Sequence, residues 1–492
     1  MIRKTLFSLL ALLLLLAAAM VVRASTLQSR QPAGEGSVHV ALDSAGAVER
    51  FAGAIRIPTI SLEDTQAIDS AAFRALHTYL AVNFPLVHAN LTRETVSDLS
   101  LLYTWPGRDP SLEPVVLMGH QDVVPVIPGT EAGWTYPPFG GVVADGYVWG
   151  RGTMDDKVSV LAILEAVETL LREGYTPART VYLAFGHDEE VGGVQGARAI
   201  AQLLADRGAE PYALVMDEGG AVARGMIPGI EGAVALVGIA EKGYANVELL
   251  VEGAGGHSST PPPQTNIGIL AEAVSELEEH PFPARLEGPA RAMFEYLAPE
   301  MSFLPRFVVG NLWILEPVVR RAMLGNRMMA SMLRTTTAPT IIEGGVKANV
   351  LPIRARAVIN HRIIPGETAE SVVARDRRVI GDERVRASIL GEDHTDPSPV
   401  SDPEGAAFQL VARTIKRVLP EEEVVVAPYL VMGGTDAKYY AGRSANVFRF
   451  LAAPVEADAL ERVHGTDERM GISGFLSSVA FFHELIRGAD TL

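Results

Sequence analysis

The chain has 492 residues, 48% of them hydrophobic, with 46 glycines and no cysteine. That is the profile of a well-packed globular protein long enough for two or three domains. Its net charge of −17 argues against a nucleic-acid partner, because phosphate binding needs a basic face. The absence of cysteine excludes thiol nucleophiles, thiolate ligands and disulfides together, so a metal site here has only imidazole and carboxylate to draw on.

At the N-terminus, Arg3 and Lys4 precede an apolar run from Leu6 to Val22, and Arg23-Ala24-Ser25 follows. As a helix this run is roughly 25 Å long, a little short of a bilayer core. Residues 1–24 therefore read as a signal peptide, with Ala24 a candidate cleavage point, or as an uncleaved membrane anchor. Either reading makes the body of the protein exported: secreted, periplasmic or tethered to a membrane.

A polar stretch leads to about Gly46, and strands then alternate with helices. Val115–Met118 reads as a buried strand. Lys157–Arg172 reads as a helix with apolar residues at helical spacing, closed by Gly174. Thr180–Phe185 is the next strand, Val194–Asp206 the next helix, and Ala213–Met216 the strand after that. This rhythm predicts an α/β fold with a mixed, mostly parallel sheet, which gathers ligands at the carboxyl ends of its strands.

From about Tyr244 the pattern changes. A strand over Ala245–Glu252, a helix over Ile267–Glu279, strands near Val346–Pro352 and Arg354–Arg362, and a helix around Ala369–Ile380 suggest a smaller inserted α/β sandwich. The expected organisation is a catalytic unit over 45–243, an inserted unit over 244–390, and a return to the catalytic unit over 391–492.

The chemistry collects at the strand ends. His120 and Asp122 follow the first strand, Asp155-Asp156 sit in a Gly-rich turn, Glu189-Glu190 and Asp217 follow two further strands, and His464 comes late in the chain. A ligating imidazole needs an acceptor for its second nitrogen, and Asp122 is placed to be one. A carboxylate such as Asp155 has two oxygens and can bridge two cations. Adjacent carboxylates such as Glu189 and Glu190 repel unless a cation or proton separates them. Singly, each has a plainer reading: a polar strand end, a helix N-cap for Asp155, an exposed acidic turn. Five such stations together suggest a two-metal hydrolase.

The order of these runs resembles the di-zinc aminoacylase/carboxypeptidase metallohydrolases, peptidase family M20. The likeness covers nearly all of the chain after the leader. Further matching runs are Gly-Trp-Thr-Tyr-Pro-Pro-Phe from Gly133, Gly-His-Ser-Ser from Gly256, Arg362-Ile-Ile-Pro-Gly and the Gly-Gly-Thr-Asp ending at Asp436. Gly-His-Asp-Glu-Glu at 186–190, Glu241-Lys-Gly and Leu333-Arg-Thr-Thr-Thr-Ala are similar to the branch of carboxypeptidase S and the N-fatty-acyl-amino-acid synthase/hydrolases.

The resemblance implies a zinc-exopeptidase-like catalytic domain with an inserted lid or dimerisation domain. It also implies two zinc ions, with cobalt or manganese compatible with the same ligands. Asp155 would be the bridging carboxylate, His120 and Asp217 would hold one metal, and Glu190 and His464 the other. Glu189 would be the general base, with Asp122 orienting His120, and the Asp155–Asp156 peptide would be cis. His257, in the inserted unit, would stabilise the carbonyl oxyanion, in some relatives from a neighbouring subunit, so a homodimer through that unit is compatible. Arg362 would pair with a substrate carboxylate, Asn349 would make a polar contact in the same cleft, and Gly434 would allow close approach of substrate.

The activity so implied is hydrolysis, or reversal of it, at the amide of an N-acyl amino acid, including fatty-acyl ones. An exported carboxypeptidase or dipeptidase acting on short peptides is the alternative. A membrane-tethered binding protein that has lost turnover is a third reading, disfavoured because every expected ligand and the base are present. The apolar run Phe303–Val319 reads either as lining for an acyl channel or as packing for a lid or dimer interface.

Overall fold

The computed structural model describes residues 2–33, 36–62, 67–392, 394–420, 423–456 and 458–492. Val115–His120, Val181–Gly186 and Leu214–Asp217 are short apolar runs buried on nearly every residue, as strands covered by helices on both faces must be. With Val447–Arg449 they form four adjacent parallel strands at the centre of a ten-stranded mixed sheet. Antiparallel strands flank them. Thr92–Val96 and Ser100–Trp105 lie on one side, Ala233–Glu241 and Ala221–Arg224 on the other, and Val425–Val431 joins parallel to Ala233–Glu241.

The helix Lys157–Arg172 forms over the expected span and is buried along almost its whole length, packed against Ile472–Ala489. Gly174 ends it at φ 73°, a left-handed conformation that glycine adopts without a Cβ clash. Behind this pair, Phe51 stacks on Phe475 with ring centroids 4.5 Å apart.

Gly243–Glu252, Arg354–Ile363, Thr336–Gly344 and Val385–Ile389 make a separate four-stranded antiparallel sheet. Helices Asn266–Glu279 and Ala369–Ile380 cover it, and together they enclose an apolar cluster of their own. The strand expected near Val346–Pro352 reduces to Val350–Leu351, paired with Gly256–His257.

The middle of the intervening chain behaves differently. Helices Gly288–Leu297, Phe303–Gly310, Leu312–Leu324 and Arg327–Met332 lie inside the 244–390 boundaries. Yet Met293, Phe294, Leu297, Leu312, Met323 and Met332 join the core of the large sheet. Tyr296 anchors this stretch there, donating to the Pro403 carbonyl at 2.6 Å and packing edge-on against Phe408.

The leader forms one helix over Ile2–Ser25, apolar enough and long enough to cross a membrane. Its apolar flanks are exposed apart from half-buried Leu16 and buried Met20 and Ala24 toward its C-terminal end.

Candidate metal centre

The parallel strands deliver the site residues to one edge of the large sheet. His120 is the last residue of its strand and pairs with Gly186 at the end of the neighbouring one, so the Glu189-Glu190 turn begins beside it. Asp122 ties the two together. Its carboxylate accepts from the backbone N–H of Glu189 at 3.2 Å and of Glu190 at 3.1 Å, and from Ser61 Oγ at 2.6 Å. His120 Nδ1 lies 3.0 Å from the Asp122 carbonyl and 3.4 Å from its carboxylate. One buried acid thus orients both the imidazole and the turn carrying the paired glutamates.

Asp155 stands at the end of a Gly-rich loop that Glu468 holds from beneath. Glu468 accepts from Arg151 Nη1 at 2.5 Å, Gly152 N at 2.9 Å, Met154 N at 2.8 Å and Asp155 N at 3.4 Å. The loop passes so close to its neighbours that a Cβ on Gly152, itself at φ 86°, would lie 2.6 Å from Val123. The Asp155–Asp156 peptide is cis. Asp156 sits at the N-cap of the following helix, but its carboxylate makes no capping bond and instead accepts from Ser159 Oγ.

Asp155 faces a different histidine with each oxygen. Oδ1 is 2.9 Å from His120 Nε2, and Oδ2 is 2.8 Å from His464 Nε2. His464 also lies 3.2 Å from Glu190 Oε2. His464 is held at φ 61° just before Gly465, whose Cα passes so near the Glu461 carbonyl that a Cβ would have no room.

Asp217, expected beside His120, is turned away. Its two oxygens accept from the backbone N–H groups of Glu218 at 3.0 Å and Ala437 at 2.7 Å. Glu218 faces the cluster instead, 3.3 Å from His120 Nε2. Neighbouring residues at a strand end point to opposite sides, so only one of the two acids can reach the histidine.

The electrostatics describe a pocket short of positive charge. Burial pushes Glu189 well above the ordinary glutamate range, with Asp436 and Glu190 adding to the shift and His120 opposing it. Burial likewise raises Glu218, with Asp155 beside it, and raises Asp156 and Asp436. Burial would also raise Asp155, but His120 and His464 pull it well below its usual value. In return Asp155 and Glu190 push His464 up to about 10.

Glu190 Oε1 and both oxygens of Asp436 are buried with no hydrogen-bond partner among the described residues. Buried carboxylates crowded in this way need protons or cations to be stable. His120, Asp155 and Glu190, and also His120, Asp156 and Glu218, bring ligand atoms close enough to share an ion. Two imidazoles and several carboxylates are a donor set suited to zinc or a similar divalent metal, so the residues present fit a metal.

The remaining expected residues fall in three places. Gly434 lines a cavity of about 440 Å³ that opens off the cluster, and a Cβ there would meet no protein atom within 4 Å. Arg362 lies in the small sheet, its guanidinium 4.8 Å over the Tyr244 ring and within electrostatic reach of Glu189. Among the described residues no carboxylate lies within salt-bridge distance of it. His257 and Asn349 are exposed, side by side at the two-residue antiparallel ladder between Gly256–His257 and Val350–Leu351. Ser258 N donates there to the Asn349 carbonyl at 3.2 Å, and His257 Nδ1 lies 2.7 Å from Ser259 Oγ. The structure does not bring these two to the cluster.

Glu218 and Glu468 are site residues that motif reading did not single out, and Asp436 was reached only as the end of the Gly-Gly-Thr-Asp run, with no role given to it. Glu218 had a signal, its position beside Asp217; Glu468 had none.

The model of Peptidase family M20/M25/M40 matches residues 116–488. The N-fatty-acyl-amino acid synthase/hydrolase PM20D1 of Mus musculus is 40% identical over 90% of this chain and 88% of its own. Carboxypeptidase S of Saccharomyces cerevisiae is 35% identical over 89% of this chain and 83% of its own. Among solved structures, the M20 family metallo-carboxypeptidase Sso-CP2 from Sulfolobus solfataricus has the same fold. Its TM-score is 0.65 at 18% identity, covering 91% of this chain and 99% of that one.

Proposed function

The chain belongs to peptidase family M20/M25/M40 and is a metal-dependent hydrolase of amide bonds; from that premise we propose that its preferred substrate is an N-acyl amino acid with a long apolar acyl chain. The observation that carries this is the cavity off the metal cluster. Asp155, Glu189, Glu190, Glu218 and His464 form its polar end, and Ala221, Leu236, Tyr429, Leu451, Ala453 and Met470 line its apolar remainder. At about 440 Å³ it lies within the range of roughly 300–1,000 Å³ typical of small-molecule sites. Phe303–Val319, read from the sequence as acyl-channel lining or as packing for a lid or dimer interface, contributes nothing to its described lining; Met328 does.

In this reading Asp155, His120, Glu218, His464 and Glu190 would hold two zinc ions. When bound, such a pair lowers the pKa of water and polarises the amide carbonyl. Glu189 takes the proton of the attacking water and passes it to the leaving amine nitrogen. Asp122 keeps the Glu189-Glu190 turn and His120 in register. Arg362, stacked on Tyr244 and with no carboxylate at salt-bridge distance among the described residues, binds the carboxylate of the amino-acid half. His257 and Asn349, exposed at their two-stranded ladder, complete the oxyanion and cleft contacts from a second copy of the chain. The N-terminal helix, which fits a signal peptide by composition, is retained as an anchor: Ala24 is wholly buried against the body of the protein.

Glu218→Ala is expected to lower bound zinc by about one equivalent of two, and Asp217→Asn to keep both. Metal analysis of the purified variants checks this, and the reverse pattern would restore Asp217 as the ligand. The substrate is tested by mass spectrometry of phenylalanine released from N-oleoyl- and N-acetyl-phenylalanine and from a dipeptide. Preference for the oleoyl compound supports the proposal. Preference for the dipeptide favours the peptidase reading, which the likeness to carboxypeptidase S supports. Ala221→Phe, which narrows the cavity, is expected to lower kcat/KM for the oleoyl substrate about 10-fold or more. The acetyl substrate should be nearly unaffected; equal losses on both would place the acyl chain elsewhere.

A further inference from the structure

The helices Phe303–Gly310 and Leu312–Leu324 bury one side in the large core and turn the other outward. Phe303, Leu304, Trp313 and Val318 are each more than half exposed, and Ile314 is 40% exposed. A run of large apolar side chains on two consecutive helices is more than scattered surface hydrophobicity and marks an interaction surface.

What covers it is indicated by the leader helix. Its C-terminal end meets this hairpin at the bend between the two helices. Arg23 Nε donates to the Gly310 carbonyl at 2.9 Å, and Asn311 Nδ2 donates to the Met20 carbonyl at 3.1 Å. Gly310 lies so close that a Cβ would sit 2.8 Å from Leu27 Cδ1. Over Ile2–Ser25 the helix is about 36 Å long, and its apolar run Leu6–Val22, about 25 Å, is at the short end of what a hydrocarbon core takes. It also carries Arg3 and Lys4 at one end and Arg23 at the other. If it spans a bilayer, its last turn emerges at the membrane interface, and the hairpin bend is held at that depth.

We infer that the outward face of Phe303–Leu324 is a lipid-docking surface, seated in the acyl and headgroup boundary of the bilayer that the leader helix crosses. Apolar side chains on a helix lying in the interface are favoured there, and tryptophan at that level is a common anchor. The inference rests on the leader being retained. Its consequence for the enzyme is access: Met328, on the short helix Arg327–Met332 that follows, is 41% exposed and lines the cavity off the metal cluster. The seat therefore brings one wall of the cavity close to lipid, where a long-chain amphiphile is concentrated.

The test uses the full chain in phosphatidylcholine vesicles, neutral because the chain itself carries a charge of −17, with lipids brominated along the acyl chains as fluorescence quenchers. Trp105 and Trp149 are buried and Trp134 is partly buried, whereas Trp313 is 56% exposed. Bromolipid is expected to quench part of the tryptophan emission, and Trp313→Phe to abolish most of that quenching without changing hydrolysis of N-acetyl-phenylalanine. In a chain that keeps Trp313, the surface pair Leu304→Glu and Val318→Glu is expected to reduce the quenching at least about twofold.

Quenching unchanged by Trp313→Phe would overturn the proposal. So would a Trp313 shielded from lipid and cross-linked to a second copy, which would make this face a protein interface. Intact mass separates the two readings. A chain found without its leader refutes the anchor, and the docking surface then stands only if the shortened chain still binds the vesicles with Trp313 quenched.

Discussion

Glu189→Gln is expected to lower kcat for amide hydrolysis by about 10²–10⁴-fold, the usual contribution of a positioned general base. The substitution keeps the shape of the side chain and the backbone N–H that Asp122 accepts, so metal content and KM should change little. What it removes is proton affinity. In the pocket without metal, burial and the neighbouring Asp436 and Glu190 carboxylates push Glu189 well above the ordinary glutamate range, and bound cations would lower it again. The amide cannot accept a proton in the same way. Single-turnover measurement of amino-acid release, with zinc content determined on the same sample, checks the expectation. A variant within about threefold of the parent would move the base elsewhere in the cluster, and Asp436, buried with two oxygens unpartnered among the described residues, would be the next residue to replace.

Glu468→Ala should produce the largest loss of stability of any single change near the site, about 3–5 kcal/mol, because it leaves a buried charge without its partner. Arg151 and Glu468 are both essentially inaccessible to solvent. The alanine would strand the guanidinium and also the backbone donors of Gly152 and Met154. The loop that aims Asp155 would loosen with them, so metal affinity should fall together with the denaturation midpoint. The double replacement Arg151→Met with Glu468→Leu should be less destabilising than Glu468→Ala alone, since it removes both charges, although the loop donors stay unsatisfied. Urea titration of the three proteins tests this. A Glu468→Ala protein as stable as the parent would show that the loop is held by something other than this carboxylate.

The fold was legible where burial and periodicity agree. Lys157–Arg172 and Ala369–Ile380 carry apolar residues at helical spacing and end at glycines, and both form over the expected residues. Thr336–Gly344 was missed because most of it is an exposed edge strand, interrupted by Pro339, with no alternation of burial to announce it. For the opposite reason Val346–Pro352 was overread. Only Val350–Leu351 finds a partner, in a two-residue ladder.

At the site, the strand-end positions of His120 and Glu189 were readable from chain order alone. The choice between Asp217 and Glu218 was not, because it turns on a single step of strand register that places one acid toward His120 and the other toward Ala437 N. Glu468 was invisible for a different reason. It lies more than 300 residues from the loop it supports, and the Asp467-Glu468 pair in a loop carries no pattern that marks the second acid.

The path of the chain through the two sheets bears on how the protein assembles. The polypeptide enters the small sheet at Gly243, leaves it after Glu279, embeds Met293, Phe294 and Leu312 in the large core, and returns at Thr336. The small sheet therefore cannot gain its strand Arg354–Ile363, which pairs with Gly243–Glu252, as a local event. The intervening helices must either find the large core first or remain exposed as a loose apolar loop. Maturation should accordingly run from the large sheet outward. A fragment cut at 244 and 390 would lack the surface its own middle is built to meet, and the natural fate of such a fragment is aggregation.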